Sequence, residues 1–298
     1  MKAIRCLATA AALLLPLLLS GCFILSTTRK LPIPIPPSSL QTVAPEQLVE
    51  QLNQRWAALD SLNATVDIQA SVLKTKEGVA RDYTTFRGII LMRKPEMLRV
   101  FGRLPVIGTR MFDMVSDGKN FMLWIPSKNK VFKGANSLKK KSANQVENMR
   151  PGFFLDAMLV RGLEPGDLFS VTSETDTLED ATKKHLYIVP EYVISIMRNN
   201  PGSKQLTPVR VITIHRDDLL PYEQDLYDSE GNLETQVTYA NYRDFGSSRY
   251  PSMVTIKRPL EEYQIVLTVA SVQENQPLTD DQFQINNIPP EAVTQHLE

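Results

Sequence analysis

Several stretches that favour β-strands in this chain are apolar on both faces, so a sheet built from them must be covered on both sides. In 121–125, Phe121, Leu123 and Ile125 project one way from an extended chain, and Met122 and Trp124 the other. In 263–272, Ile265, Leu267 and Val269 oppose Val266, Ala270 and Val272. Between 97 and 115, Val100, Met111 and Phe112 share strands with Arg99, Arg103 and Arg110. An antiparallel sheet with one wet face alternates cleanly. Here the second face either packs under helices or lines an apolar cavity, and the pattern alone leaves both open. Methionines at 97, 111, 114, 122 and 158 suit a wall that adapts to varied ligands.

The periodicity predicts a helix over 45–59. Pro45 suits its first position, and Leu48, Leu52, Trp56 and Leu59 share one face. Strands are expected at 63–73 and 81–92, on both sides of a connector at 104–108, at 121–125 and around Val131-Phe132. A polar stretch over 137–148 precedes a short, very apolar helix between Pro151 and Gly162. Strands resume at 167–173, 184–190, 192–198, 208–216, 222–228, 233–242, 252–258 and 262–273, and 278–283 is expected to pack back on the sheet. This order describes a mainly β chain with a few helices: one long, curved antiparallel meander with helices on one side.

The connector Leu104-Pro105-Val106-Ile107-Gly108 departs from ordinary turn chemistry. Pro105 and Gly108 are turn residues, but Leu104, Val106 and Ile107 are large aliphatics that a solvated loop does not need. The tip is either buried by another part of the chain or inserted into something apolar.

The N-terminus is that of an exported protein. Lys2 and Arg5 precede an uncharged apolar run, Leu7 to Leu19, too short to span a bilayer and followed by Ser20-Gly21-Cys22. A cysteine directly after small residues resembles the lipobox of bacterial lipoproteins, in which the thiol takes diacylglycerol before cleavage. Cys22 is the expected lipid-attachment site, because the only other cysteine, Cys6, leaves with the signal. Several acyl chains give a stable anchor, at about 0.8 kcal/mol per buried methylene. Phe23, where inner-membrane retention would favour Asp, implies the outer membrane, facing the periplasm. The expected layout is a cleaved signal (1–21), a lipidated, proline-rich tether (22–44), a folded domain (45–287) and a tail (288–298). The tether's alternating prolines favour a semi-rigid extended spacer.

Losing Lys2 and Arg5 leaves 31 basic against 33 acidic residues, from 33 of each in the whole chain. A nucleic-acid partner would want a strongly basic domain, so none is expected. Catalysis has little support. His185, His215 and His296 lack metal-ligand spacing, and no nucleophile elbow, phosphate loop or dinucleotide fingerprint is present. Neither enzyme activity nor a cofactor is expected. Lys128, Lys130, Lys133 and Lys139 to Lys141 form a basic stretch, read either as a solvated loop or as an attraction for anionic lipid or an acidic partner.

Taken together, an amphipathic helix ending near Leu59-Asp60-Ser61, the run Gly88 to Val100 and a Val115-Ser116-Asp117-Gly118-Lys119 turn leading to Leu123-Trp124 are similar to the LolA/LolB lipoprotein-sorting family. The resemblance covers most of 45–287. It implies a half-open antiparallel β-barrel capped by helices, with an apolar cavity that shelters the acyl chains of lipoproteins. It also implies a membrane-inserting loop, here Leu104, Pro105, Val106, Ile107 and Gly108, with Val106 or Ile107 in place of the family's leucine. Val100, Met111, Leu123 and Trp124 are the expected cavity lining, and Phe153, Phe154 and Met158 a helical lid. Extra material around 136–165 and 174–206 is compatible with a different cargo. The expectation is therefore a monomeric, membrane-anchored carrier or receptor of lipoproteins or other acylated lipids. The alternatives are an envelope-stress sensor or scaffold binding a protein partner, and a carrier of glycolipid or phospholipid.

Overall fold

The computed structural model describes residues 30–31, 39–74, 78–104, 108–136, 151–179, 182–199 and 204–297. The expected signal segment, Cys22, the connector residues Pro105, Val106 and Ile107, and Lys139 to Lys141 lie outside the described residues.

The first described helix, α1 (Pro45–Ala57), starts on a proline whose missing N–H would have had no helical partner, and it buries Leu48, Val49 and Leu52. Glu46 in its first turn and Arg55 in its last both suit the helix dipole. Strands β1 (Ser61–Lys74), β2 (Val79–Asp82), β3 (Phe86–Arg93), β4 (Met97–Arg103), β5 (Arg110–Ser116), β6 (Asn120–Ile125) and β7 (Lys130–Ala135) follow. A second helix, α2 (Gly152–Met158), precedes β8 (Asp167–Glu179), β9 (Leu186–Asn199), β10 (Leu206–His215) and β11 (Pro221–Tyr227). The chain continues through β12 (Leu233–Phe245), β13 (Ser248–Arg258), β14 (Tyr263–Glu274) and β15 (Val293–Leu297).

The strands form an open sheet in the order β15-β7-β6-β5-β4-β3-β1-β14-β13-β12-β11-β10-β9-β8, with the short β2 added to β1. Two antiparallel meanders, β3 to β7 and β8 to β14, are thus joined by the central β1–β14 pair, in which Ala64 faces Val272 and Ile68 faces Leu267. The sheet is not wholly antiparallel, because β15 pairs parallel to β7. The segment expected as a C-terminal tail therefore supplies an edge strand. The chain divides into two compact units. The body is Pro37–Asp176 with Val189–Glu298, and Met1–Pro36 with Thr177–Ile188 makes the second.

Within the body, strand register assigns the two faces. Ile90, Val100, Met114 and Leu123 lie opposite one another across β3 to β6 and enter the main core with Phe153, Phe154, Leu155 and Met158 of α2. We term this the inner face. Helix α1 extends it, setting Leu48, Val49 and Leu52 against Tyr192, Ile194, Ile212 and Ile214 of β9 and β10. At one end Phe86 and Phe112 meet edge to face at 5.7 Å above Gly102, where an added Cβ would fall 2.7 Å from the Phe86 ring. Only glycine leaves room for that aromatic pair.

Part of the outer face of the first meander is covered by the chain's own C-terminal segment. After β14, Asn275 bonds Ser61 O, Arg93 donates to Leu278 O, and Arg99 donates to Gln282 O, before β15 docks on β7. Leu278 and Phe283 cover Leu91 there. The expected packing of 278–283 on the sheet thus explains how β3 and β4 can be apolar on both sides.

Candidate functional site

Helix α2 belongs to the connection from β7, beside one sheet edge, to β8, the opposite edge. Seven residues are too few to hold a helix alone. Burial of Phe153, Phe154, Leu155 and Met158, at about 1.5–3 kcal/mol per large side chain, keeps it on the inner face. Phe153 and Phe154 stack at 4.3 Å, and Tyr263 meets Phe153 at 6.1 Å.

The carbonyls at the end of a helix lack helical partners, and here three strands supply them. Gln224 of β11 donates to Asp156 O, Tyr239 of β12 to Ala157 O at 2.9 Å, and Tyr250 of β13 to Met158 O at 2.6 Å. Burial pushes the Tyr239 and Tyr250 phenols far above their usual range, so both remain neutral donors. Just beyond the helix, buried Arg210 donates to Arg161 O at 2.9 Å, and burial lowers the pKa of its guanidinium. The segment expected as a lid is fastened along its C-terminal end.

Beside this fastening lies a cleft of about 510 Å3, within the ~300–1,000 Å3 range of small-ligand sites. It is lined by Met158, Leu159, Tyr239 and Tyr250, by Leu52, Trp56 and Leu59 of α1 and its exit, and by Leu220, Pro221 and Tyr242. Arg55, Arg249, Glu274 and Asn275 stand among them and bring the polar groups. Most have defined tasks. Arg55 donates to Leu219 O at 2.6 Å, Ser248 bonds Glu274 at 2.8 Å, and Asn275 caps α1 by donating to Ala58 O at 2.8 Å. Lys94 lies 4.0 Å over the Trp56 ring and bonds Trp56 O, which fixes the indole at the cleft wall. The arrangement offers apolar surface with hydrogen-bonding groups at intervals. Among the described residues no group of three or more His, Cys, Asp and Glu is placed to hold a metal ion.

The sequence-derived site residues distribute unevenly. Met158 lines the cleft. Val100, Leu123, Phe153 and Phe154 are sealed in the core, where the α2 side chains fill the space against the strands. Trp124 does not share Leu123's face: it pairs with Asp113 on the outer face, because adjacent strand residues point opposite ways. Met111 is half-buried at the bulge where Gly102–Phe112 pairing steps to Arg103–Arg110. Of the connector, Leu104 is half-buried and Gly108 exposed, and their segment is closed by Leu104 N–H to Thr109 O at 2.9 Å. The sequence reading missed Tyr239, Tyr242 and Tyr250 as cleft residues. Their signal is the tyrosine hydroxyls on otherwise apolar strands, two on β12 and one on β13, groups that need a buried partner.

No family model matches the chain, and no curated protein matches its sequence. Solved structures do match its fold. A LolA superfamily protein from Nitrosomonas europaea superposes with a TM-score of 0.50 at 15% identity, over 82% of this chain and 99% of that one. A DUF1329 family protein from Desulfovibrio piger gives 0.50 at 11% identity, over 82% and 97%. A lipoprotein-sorting protein domain from Vibrio parahaemolyticus gives 0.48 at 11% identity, over 80% and 94%. The fold is that of the LolA type: an open, curved β-sheet with helices against its inner face. Among the described residues, no helix is long and apolar enough to cross a membrane.

Proposed function

We propose that the cleft between α1 and the β12–β13 end of the sheet binds an acyl chain, and that the protein carries or receives acylated cargo at a cell-envelope membrane. The observation that carries this reading is a cleft of about 510 Å3 lined mainly by apolar and aromatic side chains, Leu, Met, Trp and Tyr among them. Each methylene taken out of water contributes about 0.8 kcal/mol, so even part of one chain in such a cleft gives useful affinity. The LolA-type fold and the lipobox-like Ser20-Gly21-Cys22 are in keeping with it. Lipidation of Cys22 would keep the cleft close to its cargo, and the connector from Leu104 to Gly108 would deliver that cargo to the bilayer.

Native mass spectrometry of the full chain carrying Cys22→Ala tests the reading. Lipid or acylated peptide retained on the folded protein supports it and names the cargo class. A protein that emerges empty and also refuses added fatty acid contradicts it.

A further inference from the structure

Three arginines stand directly opposite one another where the sheet meets the 104–109 connector. Arg87 of β3 pairs with Arg103 of β4, and Arg103 pairs with Arg110 of β5. Like charges in directly opposed positions destabilise a sheet, so such a row needs counter-charges. Two are internal. Asp67 takes Arg87 through two bonds, of 2.9 and 3.1 Å. Asp113, fully buried, takes Arg99 through both oxygens, at 2.9 and 2.7 Å, and also bonds Arg110.

Arg103, in the middle of the row, is exposed, and its guanidinium forms no ion pair with any described residue. Counting Arg87, Arg99, Arg103 and Arg110 against Asp67 and Asp113 leaves two positive charges unmatched. The guanidinium carbons of Arg99, Arg103 and Arg110 lie 5.2, 5.7 and 5.1 Å from the centre of the Phe101 ring. That ring orders the cluster, while the N–H edges of Arg103 stay open to solvent. A guanidinium fork matches the geometry of phosphate oxygens.

We propose that the Arg87–Arg103–Arg110 row binds the phosphate head groups of anionic phospholipids. Continuity favours a membrane over an acidic protein. The row lies at the root of a connector that begins with half-buried Leu104 and continues in sequence as Pro-Val-Ile, and apolar residues beside cations suit a lipid surface. The inference rests on the reading of the protein as one that works at a membrane, but it concerns a different surface from the cleft.

The test is co-sedimentation of the full chain carrying Cys22→Ala with vesicles of phosphatidylethanolamine and phosphatidylglycerol, and with vesicles of phosphatidylcholine alone. The parent should prefer the anionic vesicles and lose that preference in high salt. Arg103→Gln should weaken anionic binding about fivefold, and Arg87→Gln added to it by a similar factor again. Lys257→Gln, on the outer face at a distance in sequence and strand order, should change nothing. Circular dichroism melts confirm that each variant is folded. Unchanged anionic binding in both arginine variants overturns the proposal. So does an equal loss on neutral vesicles. A fatty-acid titration of the same samples separates the two readings: failure there with row-dependent vesicle binding defeats the cleft alone, and the reverse defeats the row alone.

Discussion

Tyr250 of β13 reaches Met158 O at 2.6 Å and so joins the end of α2 to a strand 92 residues further along the chain. Tyr239 does the same for Ala157 O. The two hydroxyls satisfy buried carbonyls at the end of α2. Tyr250→Phe and Tyr239→Phe should each cost about 1–3 kcal/mol, the penalty of leaving a buried acceptor unpaired. Urea unfolding measures it, and a value near zero for both would mean that α2 is held by its apolar face alone.

Phe153 carries much of that apolar face, stacked on Phe154 and buried among the inner strands. Phe153→Ala should destabilise by about 3–5 kcal/mol, as read by the urea midpoint. A loss under 1 kcal/mol would show that the neighbouring side chains close the gap.

Asp113 is a single buried carboxylate serving Arg99 and Arg110. Asp113→Asn keeps its shape and removes its charge, leaving half-buried guanidiniums uncompensated. The expected cost is about 3–5 kcal/mol, again by urea unfolding. A near-neutral result would mean that solvent already screens the pair.

On the outer face of the second meander, His215 stacks on Tyr222 at 3.4 Å, with its Nε2 3.3 Å from Glu191. Burial works against both charged forms, and for His215 it outweighs the favourable charges of Asp217, Asp218 and Asp176. It pushes the His215 imidazole down, and it pushes the Glu191 carboxyl up, helped by Asp176, Glu174 and Glu223. Between His215's lowered folded value and its unfolded value near 6.5, the unfolded chain binds more protons, so stability falls as pH falls through that window. For Glu191 the folded state binds more protons above the ordinary carboxylate range, so stability falls as pH rises through its window. Thermal melts across pH should therefore show Glu191→Gln more stable at pH 7 than the parent, and His215→Gln with a smaller loss on the acid side. Parallel curves for parent and variants would refute both assignments.

Local pattern made much of this fold readable. The spacing of Leu48, Leu52 and Trp56 locates α1, and alternation locates most strands. A break expected between 190 and 192 is absent because β9 runs through. Pro190 falls just past the last residue paired with β10, Glu191 opposite His215, so its missing N–H costs no bond there. The helix expected to end just before Gly162 stops at Met158, where strand side chains, not residues local to the helix, take its last carbonyls. What stayed hidden depends on partners far apart in sequence. These are the β1–β14 join, the parallel docking of β15, and the choice between helix and cavity over the inner face. The apolar faces around Val100 and Leu123 pointed to a lining, but α2 fills that space, and the cleft lies further along, beside Trp56 and Tyr242.

Whether this cleft takes an acyl chain decides the proposed function. Ala58 lines it and is exposed, so Ala58→Trp fills the opening without disturbing the core. The most direct measurement is the titration of a fluorescent fatty acid into parent and Ala58→Trp proteins of equal melting temperature. Saturable binding to the parent is expected, with a loss of about tenfold or more in the variant, the equivalent of about 1.4 kcal/mol or roughly two excluded methylenes. Equal affinity in the two proteins would mean that the acyl chain binds elsewhere or not at all.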